Sequence, residues 1–600
     1  MALTTFLRRL LSLFWLTGPI FEKELRVSSR RRRNYVLRFI YLAALALFMV
    51  LIWLLATEAF HQASAVQRIA QMSIVGKSVI ASIAWFQFIA LQLLAIIILS
   101  TSISDEVYNR TLGILMTTPI NSFQIVMGKL LSKLLQLFLL VAISLPLLAL
   151  VRVFGGVPWD YIISSLSMTI AVVVFVGSLS LFYSILNSRA YAVIILTVLT
   201  LVFLFLILPL LTFLVYHALL RHAYPGIDGL VEKVMYYPNP YIMFFYNTMV
   251  MMEPRAGRLF GILPLWQIPS ALLLAASALI LLLSVLLVRK VALRQISGDT
   301  DKPAGKKRKS ALASPAPAAQ EPPGKIRRVN GSPVLWKELR TPFFRRHRLA
   351  GFISILLAVV LLLITYILLE HESGLHDDGV QGMYILIFLS IGILFTIILP
   401  AASITSEKEA RSWPLLLATT LNNTELLFGK FLGAVRRCII PWLFLFAHLF
   451  LFASIGYIHP VAIPQMAILV TWLIILLTCT GLCFSSLFKH TTTAVVMNFV
   501  LPAVLWAAIP FLLAVITEIN HSSNDFLEIY MDTNPFVHAV VIVMATARRP
   551  RSLGHYDWVH FRNMDAAQST IWMLGCMFVY ILIGLFFIAV ASKRLRRKVF

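Results

Sequence analysis

Residues 79–103 read VIASIAWFQFIALQLLAIIILSTSI, an unbroken stretch with no Asp, Glu, Lys or Arg. A helix of that length rises roughly 37 Å, enough to cross the ~30 Å hydrocarbon core of a bilayer. Runs of the same kind recur on either side of it. We read twelve spans, at about 36–57, 79–103, 130–153, 160–186, 190–216 and 266–289, then 349–369, 382–404, 431–455, 461–487, 493–517 and 569–592. Across 600 residues, 60% are apolar and 13% charged, where a soluble domain has about 45–50% and about 25%. This balance excludes an ordinary soluble enzyme and, equally, a disordered chain. The fold class is all-α, a polytopic membrane protein.

The basic residues then set the topology. The chain has 51 Lys and Arg against 26 Asp and Glu, a net charge of +25. With the N-terminus inside, 40 of those 51 basic residues fall in inner segments, so the positive-inside rule puts both termini in the cytoplasm. The charge is a topology signal and calls for no nucleic acid. The Arg30-Arg31-Arg32-Arg33 run suits anionic lipid headgroups. The start of the chain, Phe6 to Leu16, imitates a signal peptide, but no small-residue cleavage site follows it. It reads as an uncleaved amphipathic segment on the membrane surface. The 4 cysteines, Cys438, Cys479, Cys483 and Cys576, lie in or beside apolar runs and cannot frame a disulfide scaffold.

The chain also repeats itself. Gly18-Pro19-Ile20-Phe21-Glu22-Lys23-Glu24-Leu25-Arg26 returns as Ser332-Pro333-Val334-Leu335-Trp336-Lys337-Glu338-Leu339-Arg340, each copy just before a set of six spans. After the second span of each set, Glu106, Arg110, Leu115, Thr118, Asn121, Gly128 and Lys129 correspond to Glu407, Arg411, Leu416, Thr419, Asn422, Gly429 and Lys430. In the long loop between fifth and sixth spans, Asn239-Pro240-Tyr241 answers to Asn534-Pro535-Phe536. Both copies start and end inside, so they are parallel repeats about an axis along the membrane normal. This divides the chain into an interfacial N-terminal segment (1–34), a first six-span half (35–290), a basic Pro/Ala-rich cytoplasmic linker (291–330) and a second half with a basic tail (331–600).

The segments after spans two and eight are the best candidates for mechanism. Glu106 and Arg110 stand four apart, Glu first, the favourable order for a helical ion pair, and Glu407 and Arg411 repeat that spacing. Leu112 and Leu115 make a small apolar face, and Pro119 ends or kinks the helix. Such a short amphipathic helix under the membrane suits transmission of force from a cytosolic partner; the plainer reading is an interfacial helix with a weak surface ion pair. Each Asn-Pro pair fits turn initiation, with a re-entrant helix bordering the exit as the alternative.

A Pro-x-x-x-Lys-Glu-Leu-Arg segment before span one, a Glu-x-x-x-Arg-[Thr/Ser] segment after span two and a Gly-Lys opening span three together resemble the permease subunits of ABC-2-type ATP-driven transporters. The resemblance covers both halves. It implies that residues 19–33 and 333–347, with Lys23, Glu24, Arg26, Lys337, Glu338 and Arg340, are interfacial connecting segments. It implies that helices near 104–119 and 405–417, with Glu106, Arg110, Thr111, Leu115, Glu407, Arg411, Ser412 and Leu416, are coupling helices seated on two copies of a cytosolic P-loop ATPase. The chain itself is then no enzyme and holds no cofactor, ATP and Mg belonging to the partner. The resemblance further implies an integral, multi-pass protein of a bacterial cytoplasmic membrane and an exporter, whose apolar-walled path suits an amphipathic cargo.

Two other classes stay open. A gradient-driven secondary transporter needs ionisable groups inside spans, and His448 is the best exception to otherwise bare span interiors; Arg38, Lys133, Arg436 and Arg437 lie near ends where they can snorkel. Residues 104–113 lack the paired glycines and second basic residue of the inner motif of major facilitator transporters. A non-transporting scaffold or membrane enzyme needs a clustered acid/base site; His555-Tyr556-Asp557-Trp558-Val559-His560 and His376-Asp377-Asp378 read instead as solvated loops. Gly76-Lys77-Ser78 is the nearest approach to a P-loop, but Gln71 stands where the first Gly belongs, in what reads as an outer loop.

Overall fold

The computed structural model describes residues 13–30, 32–57, 65–109, 111–152, 156–217, 233–253, 266–296, 332–340, 348–371, 374–520, 523–547 and 553–595. The extreme N-terminus, Arg110 and most of the expected linker lie outside the described residues. The first half comprises α1 (Leu13–Arg30), α2 (Arg32–Thr57), α3 (Ala65–Ser100), α4 (Ser104–Asn109), α5 (Leu112–Met116), α6 (Ser122–Arg152), α7 (Trp159–Leu186), α8 (Ala190–Val215), α9 (Pro240–Met252) and α10 (Gln267–Ile296). The second comprises α11 (Pro333–Arg340), α12 (Arg348–His371), α13 (Asp378–Glu409), α14 (Trp413–Leu417), α15 (Asn423–Ile455), α16 (Ala462–Leu487), α17 (Thr491–Ile519), α18 (Asp525–Met531), α19 (Pro535–Ala547) and α20 (Ala566–Arg594).

Among the described residues, 12 helices are long and apolar enough to cross a membrane, and each coincides with a span read from the sequence. Helices are the expected answer, since hydrocarbon offers backbone groups no water and each segment must satisfy them internally. Some exceed the bilayer: α13 has 32 residues, about 48 Å, so its last turns carry Glu407, Lys408 and Glu409 past the hydrocarbon. The α3 helix also runs further than expected and takes in Gly76, Lys77 and Ser78. That corrects the outer-loop reading, and a helix interior is no phosphate-cradling loop.

The fourth span of each half is its centre. α7 packs on α3 and α10, and α16 on α13 and α20. Small residues allow the approach. Ser164, Ser165, Ser178, Ser180 and Ser184 of α7 are buried, and Ser180 Oγ donates to the Ile96 carbonyl of α3. In α16, Ser485 Oγ accepts from the backbone of Ile404 and Thr405, while Trp472 stacks on Tyr580 of α20. Across the halves, the first span of one packs on the fifth span of the other: α2 on α17, where Phe48 meets Phe511, and α8 on α12.

Candidate functional site

One end of the bundle, the lever face, carries the repeated motifs, and there the same device is built twice. Each connecting helix, α1 or α11, lies against the third span of its half, α6 or α15. Ile20 and Glu24 face inward four residues apart on α1, as Val334 and Glu338 do on α11, while Lys23, Arg26, Lys337 and Arg340 stay outside. The outer faces reach one end by two chemistries: Arg26 pairs with Glu22, and Arg340 lies over the Trp336 ring. Gly433 lets α11 sit close, since a Cβ there would come within 2.7 Å of the Glu338 Cβ.

The lysine of each Gly-Lys motif turns inward and clasps the end of the second span. Lys129 Nζ lies 2.6 Å from Glu106 Oε1 and donates to the Ser102 carbonyl. Lys430, 2% exposed, lies 2.6 Å from both Glu338 Oε1 and Glu407 Oε1, joining connecting helix to second span. Lys337 Nζ adds a second contact to Glu407. In the first half the connecting helix is reached separately, through Lys133 and Glu24 at 3.5 Å. Lys133, Arg436 and Arg437 therefore do more than snorkel: Arg436 donates to the Glu338 carbonyl and Arg437 to its carboxylate. Burial pushes the Glu338 carboxyl up, but Lys430, Arg437 and Lys337 beside it outweigh burial and hold it below the usual range.

This geometry corrects the expected Glu407–Arg411 pair. The α13 helix ends at Glu409 and Arg411 adopts φ 54°, so the two side chains do not share a helical face, and the buried lysine takes the carboxylate. Thr111 and Ser412 instead stitch the corner, their backbone N–H groups donating to the Glu106 and Glu407 carbonyls.

Beyond the corner, Leu112 and Trp413 are buried anchors for α5 and α14. α5 packs on α10, and Trp413 joins an apolar cluster that includes Ala591 and Leu595 at the end of α20. Leu115 and Leu416 are half-buried. The residues that stand out are Ile114 and Leu415, 68% and 74% exposed at matching positions. Sequence reasoning missed them, although the repeat itself was the signal.

The other sequence candidates stay apart from this face. His448 Nδ1 is hydrogen-bonded to the Tyr366 hydroxyl at 2.6 Å amid Tyr384, Phe388 and Phe452, which favours packing over a proton path. Asp377 caps α13 by accepting from Gly379 N. His560 meets Glu528 at 3.3 Å with the exposed Asp525 alongside, and that hydrogen bond accounts for the approach. All 4 cysteines are free and buried. Between the halves, Val202 and Leu206 of α8, Met383 and Ile387 of α13, and Val543 and Met544 of α19 wall an apolar groove of about 400 Å³.

No curated protein matches the chain. A family model for ABC-2 family transporter protein matches residues 19–297, and a second model of the same description matches residues 364–586. With one unit in each half and its membrane-crossing helices where the matches fall, the chain belongs to the ABC-2 transporter family and is the membrane component of an ABC transporter, two permease units in a single polypeptide.

Proposed function

We propose that this chain is the full permease of an ATP-driven exporter, worked by two copies of a cytosolic P-loop ATPase docked on the lever face. Both termini, the connecting helices and α5 and α14 then face the cytoplasm, as the Lys and Arg distribution requires, in a bacterial cytoplasmic membrane. The observation that carries the reading is the duplicated corner: a buried Lys–Glu clasp, a buried anchor and an exposed aliphatic knob, Ile114 or Leu415. An exposed aliphatic residue at the same place in both halves fits an apolar socket on a partner protein, and the clasp passes any push on the knob to the second and third spans together. Closure of the ATPase pair would draw the two corners together and rock one half against the other, opening the groove away from the cytoplasm. Apolar walls suit an amphipathic cargo with an acyl or similar tail.

The test is co-purification of the full chain with an ATP-hydrolysing P-loop subunit, for the parent and for Ile114→Glu with Leu415→Glu. Docking through the knobs predicts at least about a tenfold loss of the recovered ATPase, since each substitution places a charge in an apolar contact. Undiminished recovery would remove α5 and α14 from the docking role. A chain that transports unaided in nanodiscs, with no nucleotide hydrolase present, would overturn the ATP-driven reading altogether.

A further inference from the structure

The fifth span of each half carries a π-helical turn at a matching place, Phe203–Ile207 in α8 and Val504–Ala508 in α17. Each is followed two residues on by a proline, Pro209 or Pro510. Proline has no N–H, so in the α-helical pattern the carbonyl four residues earlier loses its donor. Those carbonyls belong to Phe205 and Trp506. Each receives a side-chain amide instead: Asn239 Nδ2 donates to Phe205 O at 2.7 Å, and Asn534 Nδ2 donates to Trp506 O at 2.9 Å.

These are the asparagines of the two Asn-Pro pairs, and both are buried. Each also opens a helix. Asn239 Oδ1 accepts from the N–H groups of Tyr241 and Ile242 at the start of α9, and Asn534 Oδ1 accepts from Phe536 N at the start of α19. The amide thus faces two ways, its oxygen capping one helix and its nitrogen mending another. The chain between partners is 34 residues in the first half and 28 in the second, so the same bond forms across loops of different length. It is not a by-product of one loop's shape.

One helix of each latched pair, α8 in the first and α19 in the second, is a wall of the groove between the halves. Val202 precedes the π turn of α8 and Leu206 lies within it, and Val540, Val543 and Met544 lie on α19. We infer that Asn239 and Asn534 are positioning residues for the transported molecule: each latches the helix it opens to the π-bulged span before it, and the two latches together set the width of the apolar groove that takes an amphipathic cargo. The inference rests on the permease reading for what the groove carries, not for the latch itself.

Capping alone and latching make different demands. An aspartate caps a helix as well as asparagine does but has no N–H to donate while ionised. The experiment uses the full chain in nanodiscs with Ser390→Cys on the α13 wall of the groove, the native thiols being buried. A soluble maleimide reads hydration of the groove, normalised to Asp160→Cys at an exposed helix start. Asn239→Asp and Asn534→Asp should each speed labelling about fivefold, the weight of one net hydrogen bond. Acidification that protonates the introduced carboxyl restores a donor and should slow labelling again; Asn→Ala variants should stay fast at every pH. Hydrogen exchange over residues 203–212 and 504–513 should rise in step, and serves as the readout if an Ala variant folds poorly. Labelling and exchange at parental rates in the Asp variants, or fast labelling that acidification leaves unchanged, would overturn the latch. Neither result touches the permease reading, which stands or falls on ATP-dependent transport.

Discussion

The two levers are the same machine assembled with different fastenings. In the second half one lysine, Lys430, joins the connecting helix and the second span through two carboxylates. In the first, Lys129 and Lys133 divide those tasks. The second lever is also tied to the turn between its fourth and fifth spans. Lys408 Nζ donates to the carbonyls of Ser485, Ser486 and Phe488, satisfying the end of α16, and Glu409 accepts from Thr491 N and Oγ1 at the start of α17. Cation at a helix C-terminus and anion at an N-terminus each complement the helix dipole. The corresponding first-half positions are Val107 and Tyr108, which offer no such charges. The α3 helix breaks at Thr101–Ile103 before α4, whereas α13 runs through unbroken. Under the proposed docking, a push on α14 is also carried to α16 and α17 through charged ties for which Val107 and Tyr108 offer no counterpart.

The largest expected effect tests the central clasp. Lys430→Met should destabilise the second lever by about 3–5 kcal/mol, because it removes the buried cation shared by two carboxylates and leaves Glu338 with Arg437 and Glu407 with the exposed Lys337. Lys129→Met strands one and should cost clearly less, about 2 kcal/mol. Hydrogen exchange of α11 for Lys430 and of residues 101–109 for Lys129 is the measurement. Adding Glu338→Gln and Glu407→Gln to Lys430→Met should recover most of the loss; no recovery would show that packing around the Lys430 stem, not orphaned charge, is what the lysine supplies.

A smaller effect tests the extra tie. Glu409→Gln with Lys408→Met should loosen the α16–α17 turn by about 1–2 kcal/mol, seen as faster exchange over residues 485–492. Val107→Ala with Tyr108→Phe should leave the turn between α7 and α8 within about 0.5 kcal/mol of the parent. Equal effects in the two halves would erase the asymmetry.

The smallest is a dependence on pH. The Glu338 carboxyl is held below its ordinary 4.5 in the folded chain. A depressed carboxyl contributes stability that is present above the unfolded value and is lost as pH falls through the folded one. Exchange of α11 relative to the intrinsic rate at each pH should therefore be steady near neutral pH and rise on acidification below 4.5, and Glu338→Gln should abolish that rise. A rise unchanged in the Gln variant would place the titrating group elsewhere.

Much of this architecture is written in the sequence. Span lengths follow from bilayer thickness, and the repeat shows itself because Lys23-Glu24 and Lys337-Glu338 stand at the same place in each half. What was not legible is which partner each charge takes. Glu407 and Arg411 have the spacing of a helical pair, but that rule holds only while the helix continues, and nothing local reveals that the chain turns at Arg411. Lys430 is distant in sequence from Glu338, and only the close approach that Gly433 permits brings them together. Pro209 and Pro510 stand at matching places in the fifth spans. That each stands beside a π turn mended by a distant asparagine follows from tertiary contact, which periodicity does not record.

Fusion of the two units has a consequence of its own. In an assembly of identical subunits every change strikes both sides, so left and right cannot drift apart. Here a single codon alters one side only, equal dosage of the two is guaranteed by synthesis, and mispairing with a stranger subunit is excluded. Such a chain is free to let one arm become the stiff one and keep the other compliant.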